Sequence, residues 1–385
     1  MFAVCSLFLV AAVVPVTSMA STLRVGPGQA YPDPGAAAKA AKDGDTIEIM
    51  AGTYSGGVAV WKRNNLILRG IGNVEIKAAG KNARGMGIWV ISGNNVRVEN
   101  IAFSGARVRD KNGAGIRLLG TNLLVRNCRF IDNENGILAG RTKKNKGESE
   151  IVIEDSLFER NGHSSGRAHG IYVGNITRLT IRGSVFSQTH TGHHIKSRAR
   201  ESRIMFNRID DSETGDSSYL VDFPQGGRAF LVGNVLHQGP KARNNGMVSF
   251  GAEKNPHADS VLFVVNNTFV TDRANSVFLK IRHSPSSLSV VNNIFAGSGE
   301  LGSTAIEVTN NIRVISPADS PFIAWDERDF SLAAGAAAID AGREIEDFEG
   351  VSLTPMLEVQ KVRGTAPRAT IGPIDIGAFE YRSGS

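Results

Sequence analysis

Five of the eight histidines lie within about 30 residues of one another, close to a lysine and an arginine. Alternation in one short segment places Ile195 and Ser197 on one face and His194, Lys196 and Arg198 on the other. Neighbouring positive charges favour the neutral amine of Lys196, which is the form that acts as a general base. The planar guanidinium of Arg198 suits a carboxylate. The segment therefore predicts proton removal next to a bound carboxylate. The five histidines are His163, His169, His190, His193 and His194.

The elements that must position these groups belong to a repeat. A pattern that ends in phenylalanine returns after about 25 residues, each time preceded by a short alternating strand and followed by another short strand. Strands without helices between them cannot build a βαβ sheet, so each strand is expected to pair with its counterpart one coil away. The repeat predicts an all-β solenoid. Its copies are 100–103, 127–130, 155–158, 183–186, 266–269 and 292–295.

Asparagines recur at one place in the coil, at Asn100, Asn127, Asn266 and Asn292. Their spacing predicts a ladder of side-chain amides, each bonded to the next coil. The solenoid is expected over residues 21–315. Residues 36–42 have the composition of a short helix that caps the N-terminal end, and residues 316–385 are expected to form an irregular C-terminal cap of the same domain.

Residues 1–20 are interpreted as a secretory signal peptide. The run 2–16 is almost wholly apolar, and Ser18 and Ala20 are small residues at the positions that a signal peptidase reads, although the usual basic residue near the start is missing. The prediction is a secreted or periplasmic protein. Cys5 leaves with the signal, so Cys128 has no partner for a disulfide in the mature chain. No other stretch is apolar enough to cross a membrane.

The repeat places further polar groups beside Lys196. If Ile171 stacks on Ile195, Tyr172 becomes the neighbour of Lys196 in the adjacent coil. The following coils add other candidates for substrate binding, and because coils lie about 4.8 Å apart, these side chains are expected to line a groove for a polymer. The carboxylates among them, Asp222 and Glu253, are also candidate ligands for Ca²⁺. The candidates are Tyr219, Asp222, Glu253, Lys280 and Arg282.

The net charge of +6 favours anionic partners. Aromatic residues make up 7% of the chain, and no block of Lys and Arg is interleaved with them, which argues against a nucleic-acid partner.

Several segments resemble the bacterial right-handed parallel β-helix proteins, the pectate lyase-like superfamily with its chondroitinase B-like and alginate lyase-like enzymes. The similar segments are 44–47, 51–54, the asparagine and phenylalanine turns, 329–342 and 375–379. The resemblance covers nearly the whole mature chain and implies a single-stranded right-handed parallel β-helix. It specifies the fold more closely than the activity, because this scaffold carries several chemistries.

The enzyme signatures within this superfamily match only in part. In polygalacturonase-like hydrolases Asp-Asp comes before Gly-His-Gly and Arg-Ile-Lys, whereas here Asp210-Asp211 follows both 168–170 and 194–196, and Asn-Thr-Asp is absent. The Asp-Pro-His of mannuronan epimerases is absent too. The Lys and Arg pair of chondroitinase B-like lyases maps onto Lys196 and Arg198, which here are two residues apart in one strand instead of in separate coils.

The resulting hypothesis is an exported, monomeric polysaccharide lyase that acts on a uronic-acid polymer by β-elimination. Lys196 is the predicted base and Arg198 the carboxylate clamp, with His169 or His194 and Tyr172 assisting proton transfer. Two alternatives stay open at this point. One is a glycoside hydrolase that uses paired carboxylates, either Asp222 with Glu253 or Asp210 with Asp211. The other is a noncatalytic β-helix that binds a polysaccharide.

Overall fold

The computed structural model of the chain describes residues 20–140, 148–254, 257–302, 308–369 and 371–383. Regular structure in these residues is almost entirely β, and it consists of short strands that pair in parallel with the coil before and the coil after. The larger of the two main sheets has 21 strands and the smaller has nine. The predicted signal peptide, apart from its last residue, lies outside the described residues.

Most coils contribute three strands, which form three rows along the solenoid. The first two rows join into the large sheet, because the long strands Thr46–Ser55 and Ile67–Lys77 pair along both. The first row contains Thr22–Val25, Thr46–Ser55, Ile67–Lys77, Val96–Glu99, Leu123–Arg126, Glu150–Glu154, Arg178–Arg182, Glu201–Met205, Arg228–Val232, Val261–Val265, Ser287–Val291 and Val308–Thr309. The second contains Ala102–Ser104, Arg129–Ile131, Leu157–Glu159, Val185–Ser187, Arg208–Asp210, Val235–Gln238, Thr268–Thr271, Ile294–Ala296 and Ile312–Val314. The third row is the nine-stranded sheet: Ala59–Trp61, Gly87–Ile91, Ala114–Leu118, Asn135–Ala139, Ile171–Val173, Ile195–Ser197, Val221–Phe223, Gly246–Phe250 and Val277–Ile281.

The core runs along the interior of the coils and is built by the repeated phenylalanine. Phe103, Phe130, Phe158 and Phe186 are fully buried, and their rings stack face to face with centroids 5.3, 4.7 and 4.6 Å apart. Each ring packs on the ring of the next coil, so one apolar residue per coil fixes the axial register.

The predicted asparagine ladder is present at the corner between the first two rows. Asn127 donates to the Oδ1 of Asn100 at 2.8 Å, and Asn292 donates to the Oδ1 of Asn266 at 3.2 Å. These four residues have φ between 50° and 58°, the left-handed region in which asparagine is well tolerated. A second ladder, buried except at Asn311 and not predicted, links the amides of Asn207, Asn234, Asn267, Asn293 and Asn311.

The N-terminal helix covers Pro34–Ala40, two residues earlier than the composition predicted. Asp33 starts it, because its side chain accepts the backbone N–H of Ala36 at 2.9 Å and Pro34 occupies the first helical position. Ala37 is fully buried against the first coils.

The C-terminal segment lies along the outer face of the large sheet. It therefore covers earlier coils as well as the last one. Its antiparallel strands pair as Phe322–Ala324 with Asp329–Leu332 and as Leu357–Val359 with Thr365–Pro367, and a short 3₁₀ helix spans Pro317–Asp319. Arg363 reaches Asn127 at 2.7 Å, and Asn266 donates to the carbonyl of Asp375. The strands below it, Arg228–Val232 and Val261–Val265, bury apolar residues on both faces.

In the described part of the chain, no helix combines the length and the apolar character needed to cross a membrane.

Candidate functional site

The outward face of the nine-stranded sheet carries a row of side chains, one from each coil. Tyr172 is paired in register with Lys196, and Lys196 with Asp222, as the spacing predicted. Their neighbours in the strands, Ile171 and Ile195, point into the core and are fully buried. We call this set the outward row; its members are Val60, Val90, Arg117, Leu138, Tyr172, Lys196, Asp222, Ser249 and Lys280.

Lys196 and Asp222 form an ion pair at the centre of the outward row. The Nζ of Lys196 lies 2.8 Å from the Oδ2 of Asp222, and their side chains are 15% and 4% exposed. The nearest charge to Lys196 is therefore a carboxylate, which the sequence placed nearby but did not pair with it. His193 lies beside the same carboxylate, with its Nε2 3.5 Å from Oδ2.

Arg198 connects Tyr172 to Glu253. Its Nε donates to the Oε2 of Glu253 at 2.9 Å, its Nη2 contacts the other carboxylate oxygen, and its Nη1 donates to the Oη of Tyr172 at 2.7 Å. The guanidinium also lies 5.2 Å from the centre of the Tyr172 ring. The hydrogen bond from Arg198 lowers the pKa of Glu253. Arg198 thus holds the phenol oxygen of Tyr172 in place.

His169 and His193 stack on each other at the edge of the outward row, with ring centroids 4.8 Å apart, and Tyr219 continues the stack at 5.2 Å from His193. The Nδ1 of His169 accepts the backbone N–H of His193, and the Nδ1 of His193 accepts that of Tyr219. Burial lowers the pKa of His193 to about 3 and that of His169 well below its ordinary value. Both rings are therefore neutral and carry their proton on Nε2.

His194 does not face the groove, so the prediction of three outward cations is wrong at this residue. Its side chain is fully buried, with Nε2 2.8 Å from the Oδ1 of Asp211 and Nδ1 2.8 Å from the Oγ1 of Thr189. The strand begins at Ile195, and alternation does not extend to the corner residue before it. The three following coils also bury the residue at this corner, and the three preceding coils have glycine there; these residues are Leu220, Met247 and Phe278, and Gly115, Gly136 and Gly170.

Comparison with known proteins supports the predicted solenoid fold. Residues 55–166 match the family model described as the right handed beta helix region. This protein is a right-handed parallel β-helix. The search of curated proteins found no significant match to its sequence.

Two solved structures show how far the likeness of the β-helix extends. The crystal structure of pectate lyase Pel9A superimposes with a TM-score of 0.62 at 14% identity, over 94% of this chain and 96% of the other. An alginate lyase from Paenibacillus sp. str. FPU-7 superimposes with a TM-score of 0.50 at 16% identity, over 77% of this chain and 99% of the other. At these identities the likeness concerns the fold.

The two carboxylates proposed for calcium do not suit a calcium site in the β-helix. Asp222 is paired with Lys196, and Glu253 with Arg198, so each already lies against a cation. Among the described residues, no group of three or more His, Cys, Asp and Glu side chains is placed to hold a metal ion.

Lys280 and Arg282 lie at the C-terminal end of the outward row, two coils beyond Asp222. The ammonium of Lys280 donates to the Oδ1 of Asn245 at 3.2 Å, and burial lowers the pKa of Lys280. Arg282 is exposed beside it. The structure does not bring these two cations into contact with the central pairs.

Two residues of this site were missed by sequence reasoning. His193 was recognised within the histidine cluster but not assigned a role, although its Nε2 faces Asp222. Arg117 belongs to the outward row because it pairs in register with Leu138, the neighbour of Tyr172. The alternation of the segment 115–118 already placed Arg117 outward, and this signal was available from the sequence.

Proposed function

We propose that this β-helix is a polysaccharide lyase that cleaves an acidic, uronic-acid-containing polysaccharide by β-elimination. The observation that carries the proposal is the register of Tyr172 with Lys196 on one outward face, with Arg198 bonded to the phenol oxygen. It supplies a candidate acid and a candidate base on neighbouring coils, within reach of one sugar ring.

Lys196 is ion-paired with Asp222 in the free protein, so in this mechanism it first gives its ammonium proton to solvent and then, as the neutral amine, removes the proton from C5 of the sugar, next to its carboxylate. The C5–H electrons form the C4=C5 double bond, and the C4–O4 bond breaks. Tyr172 gives its proton to O4, so the leaving sugar departs as an alcohol. Lys196 is left as an ammonium beside Asp222, and Tyr172 as a phenolate beside Arg198. Solvent returns one proton from Lys196 to Tyr172 after product release.

The remaining groups have supporting roles. Arg198 orients Tyr172, and in this proposal the substrate carboxylate, on which negative charge develops, replaces the carboxylate of Glu253 on its guanidinium. His169 is a positioning residue, because its ring packs between Tyr172 and His193 and its Nδ1 is occupied by the backbone. Tyr219 and Glu253 line the groove, and Lys280 with Arg282 extends it toward the C-terminus.

The contacts of the carboxylates favour elimination over hydrolysis. A glycosidase needs two carboxyl groups that face each other across the bond. Asp222 and Glu253 are each bound to a cation, Asp211 is fully buried against His194, and Asp210 is held by His237. The proposed enzyme is exported through its signal peptide and acts as a monomer.

The deciding experiment incubates the protein with alginate, polygalacturonate, glycosaminoglycans and bacterial exopolysaccharides. Elimination produces an unsaturated sugar that absorbs ultraviolet light, together with new reducing ends. Reducing ends without absorbance would instead indicate hydrolysis, and retention of a polymer without shortening would indicate a binding protein.

A further inference from the structure

Arg117 is a partly buried cation that has no carboxylate partner among the described residues. It occupies the outward row three coils before Lys196. Its Nε is buried and has no hydrogen-bond partner. Burial lowers the pKa of Arg117, which shows that the surroundings do not compensate fully for the lost hydration of its charge.

Several other arginines of the chain have partners for their charge. Arg126 and Arg178 lie on the surface of the large sheet and are paired with Glu154 and Glu201. Arg368 is almost fully buried, and it donates to Glu380 and to backbone carbonyls. Burying a guanidinium without such partners lowers the free energy of unfolding. A destabilising group of this kind is retained mainly where function needs it.

We propose that Arg117 binds a carboxylate of the substrate at a subsite remote from the cleaved bond. The identity of the ligand rests on the proposed function, since a uronic-acid polymer carries a carboxylate on each uronate. Three coil spacings separate Arg117 from Lys196, about 14 Å along the solenoid axis. A polymer that runs along the outward row presents a carboxylate at that distance, about three sugars from the reacting one.

The side chains between the two cations fit this path. Leu138 lies between Arg117 and Tyr172 in the outward row and supplies an apolar side chain between them. A short oligosaccharide bound over Lys196 does not reach Arg117. The subsite therefore selects longer chains, and its loss affects long substrates only.

The test measures binding by calorimetry in the Lys196→Ala background, which leaves the substrate uncut. The probes are dimers and hexamers of galacturonate and of mannuronate, with maltohexaose as a neutral chain. Arg117→Gln is expected to weaken hexamer binding about tenfold and to leave dimer binding unchanged. The matched control is Arg97→Gln, which removes an exposed arginine from the large sheet and leaves both affinities unchanged.

Three results overturn the subsite: equal hexamer affinity with and without Arg117, no hexamer binding by the parent, or an equal effect on maltohexaose. The subsite stands and the lyase proposal fails if Arg117 controls hexamer affinity but the wild type releases no absorbing product. If the wild type releases the absorbing product but Arg117→Gln does not change hexamer affinity, only the subsite is rejected. The melting temperature of Arg117→Gln is expected to stay unchanged or rise, and Arg117→Lys, which keeps the charge, should bind hexamers with intermediate affinity.

Discussion

Tyr172 and Lys196 occupy the same register position on adjacent coils, and their side chains leave the sheet on the same face. In the proposed function, a sugar ring on this face meets both groups from one side. The pairing also places the phenol oxygen of Tyr172 within hydrogen-bonding distance of Arg198, the first residue after the strand that carries Lys196. The proposed acid, base and charge stabiliser thus come from two adjacent coils.

Replacement of Lys196 by alanine removes the proposed base. We expect kcat for the absorbing product to fall by roughly a thousandfold, which is within the range for loss of a general base, while polymer binding is retained. The control is Lys62→Ala, which removes an exposed ammonium near the start of the same sheet. Equal rates for Lys196→Ala and the wild type would remove the assignment.

Tyr172→Phe keeps the ring and its contact with Arg198 but deletes the hydroxyl. We expect kcat to fall by about a hundredfold with KM nearly unchanged, because the lost proton donor acts in the transition state. Arg198→Lys is expected to lower kcat through the same hydroxyl. In the double variant the two losses should therefore be clearly less than multiplicative, and fully multiplicative losses would show that Arg198 does not act through Tyr172.

The approach of acid and base from one face has a stereochemical consequence. It suits uronates in which the C5 proton and O4 lie on the same side of the ring, as in mannuronate and glucuronate. We expect the initial rate on polymannuronate to exceed the rate on polygalacturonate, in which the two lie on opposite sides. Comparable kcat/KM values on both polymers, or a preference for polygalacturonate, would require a different acid.

His194→Ala tests the corrected position of this residue. Because the variant leaves Asp211 fully buried without its partner, we expect the free energy of unfolding to drop by about 3 kcal/mol. Replacing both residues by leucine removes the unpaired charge and should cost less than the single change. Denaturant titration measures both losses. A His194→Ala protein that is fully stable but inactive would restore a role in the groove.

His237 gives the attachment of the C-terminal segment a pH dependence. Burial opposes its charge, but hydrogen bonds to Asp210 and Asp272, each 2.8 Å long, outweigh it and raise the pKa of His237 to about 9. The ring also packs against Phe330 of that segment. A raised folded-state pKa stabilises the fold fully below the unfolded value of 6.5 and loses this contribution as pH rises toward 9.

The measurement is the free energy of unfolding of the wild type and of His237→Gln between pH 6 and pH 10. The difference between them should shrink by a few kcal/mol across this interval. A difference that is constant with pH would show that His237 does not titrate in the folded protein.

Much of the site was predictable because the β-solenoid converts sequence spacing into spatial register. Once the repeat fixed Ile171 over Ile195, Tyr172 had to lie beside Lys196, and the next coil had to present Asp222. The asparagine ladder followed from the same spacing. These predictions needed only the period and the alternation of the strands.

Contacts at corners and across loops were not predictable in this way. His194 turns inward because the strand starts one residue later than alternation suggested, and Arg198 is satisfied by Glu253, which lies 55 residues further along the chain. The course of the C-terminal segment along the large sheet was hinted at only by the apolar residues on both faces of 261–265.

The sequence by itself determined the coil and the order of side chains along its outer face, because each strand pairs with its counterpart one repeat away. Only the tertiary structure decided which of those side chains are paired, buried or left without a counter-charge, as at Lys196, His194 and Arg117. Such outcomes depend on loop paths and side-chain directions, and no local periodicity encodes them.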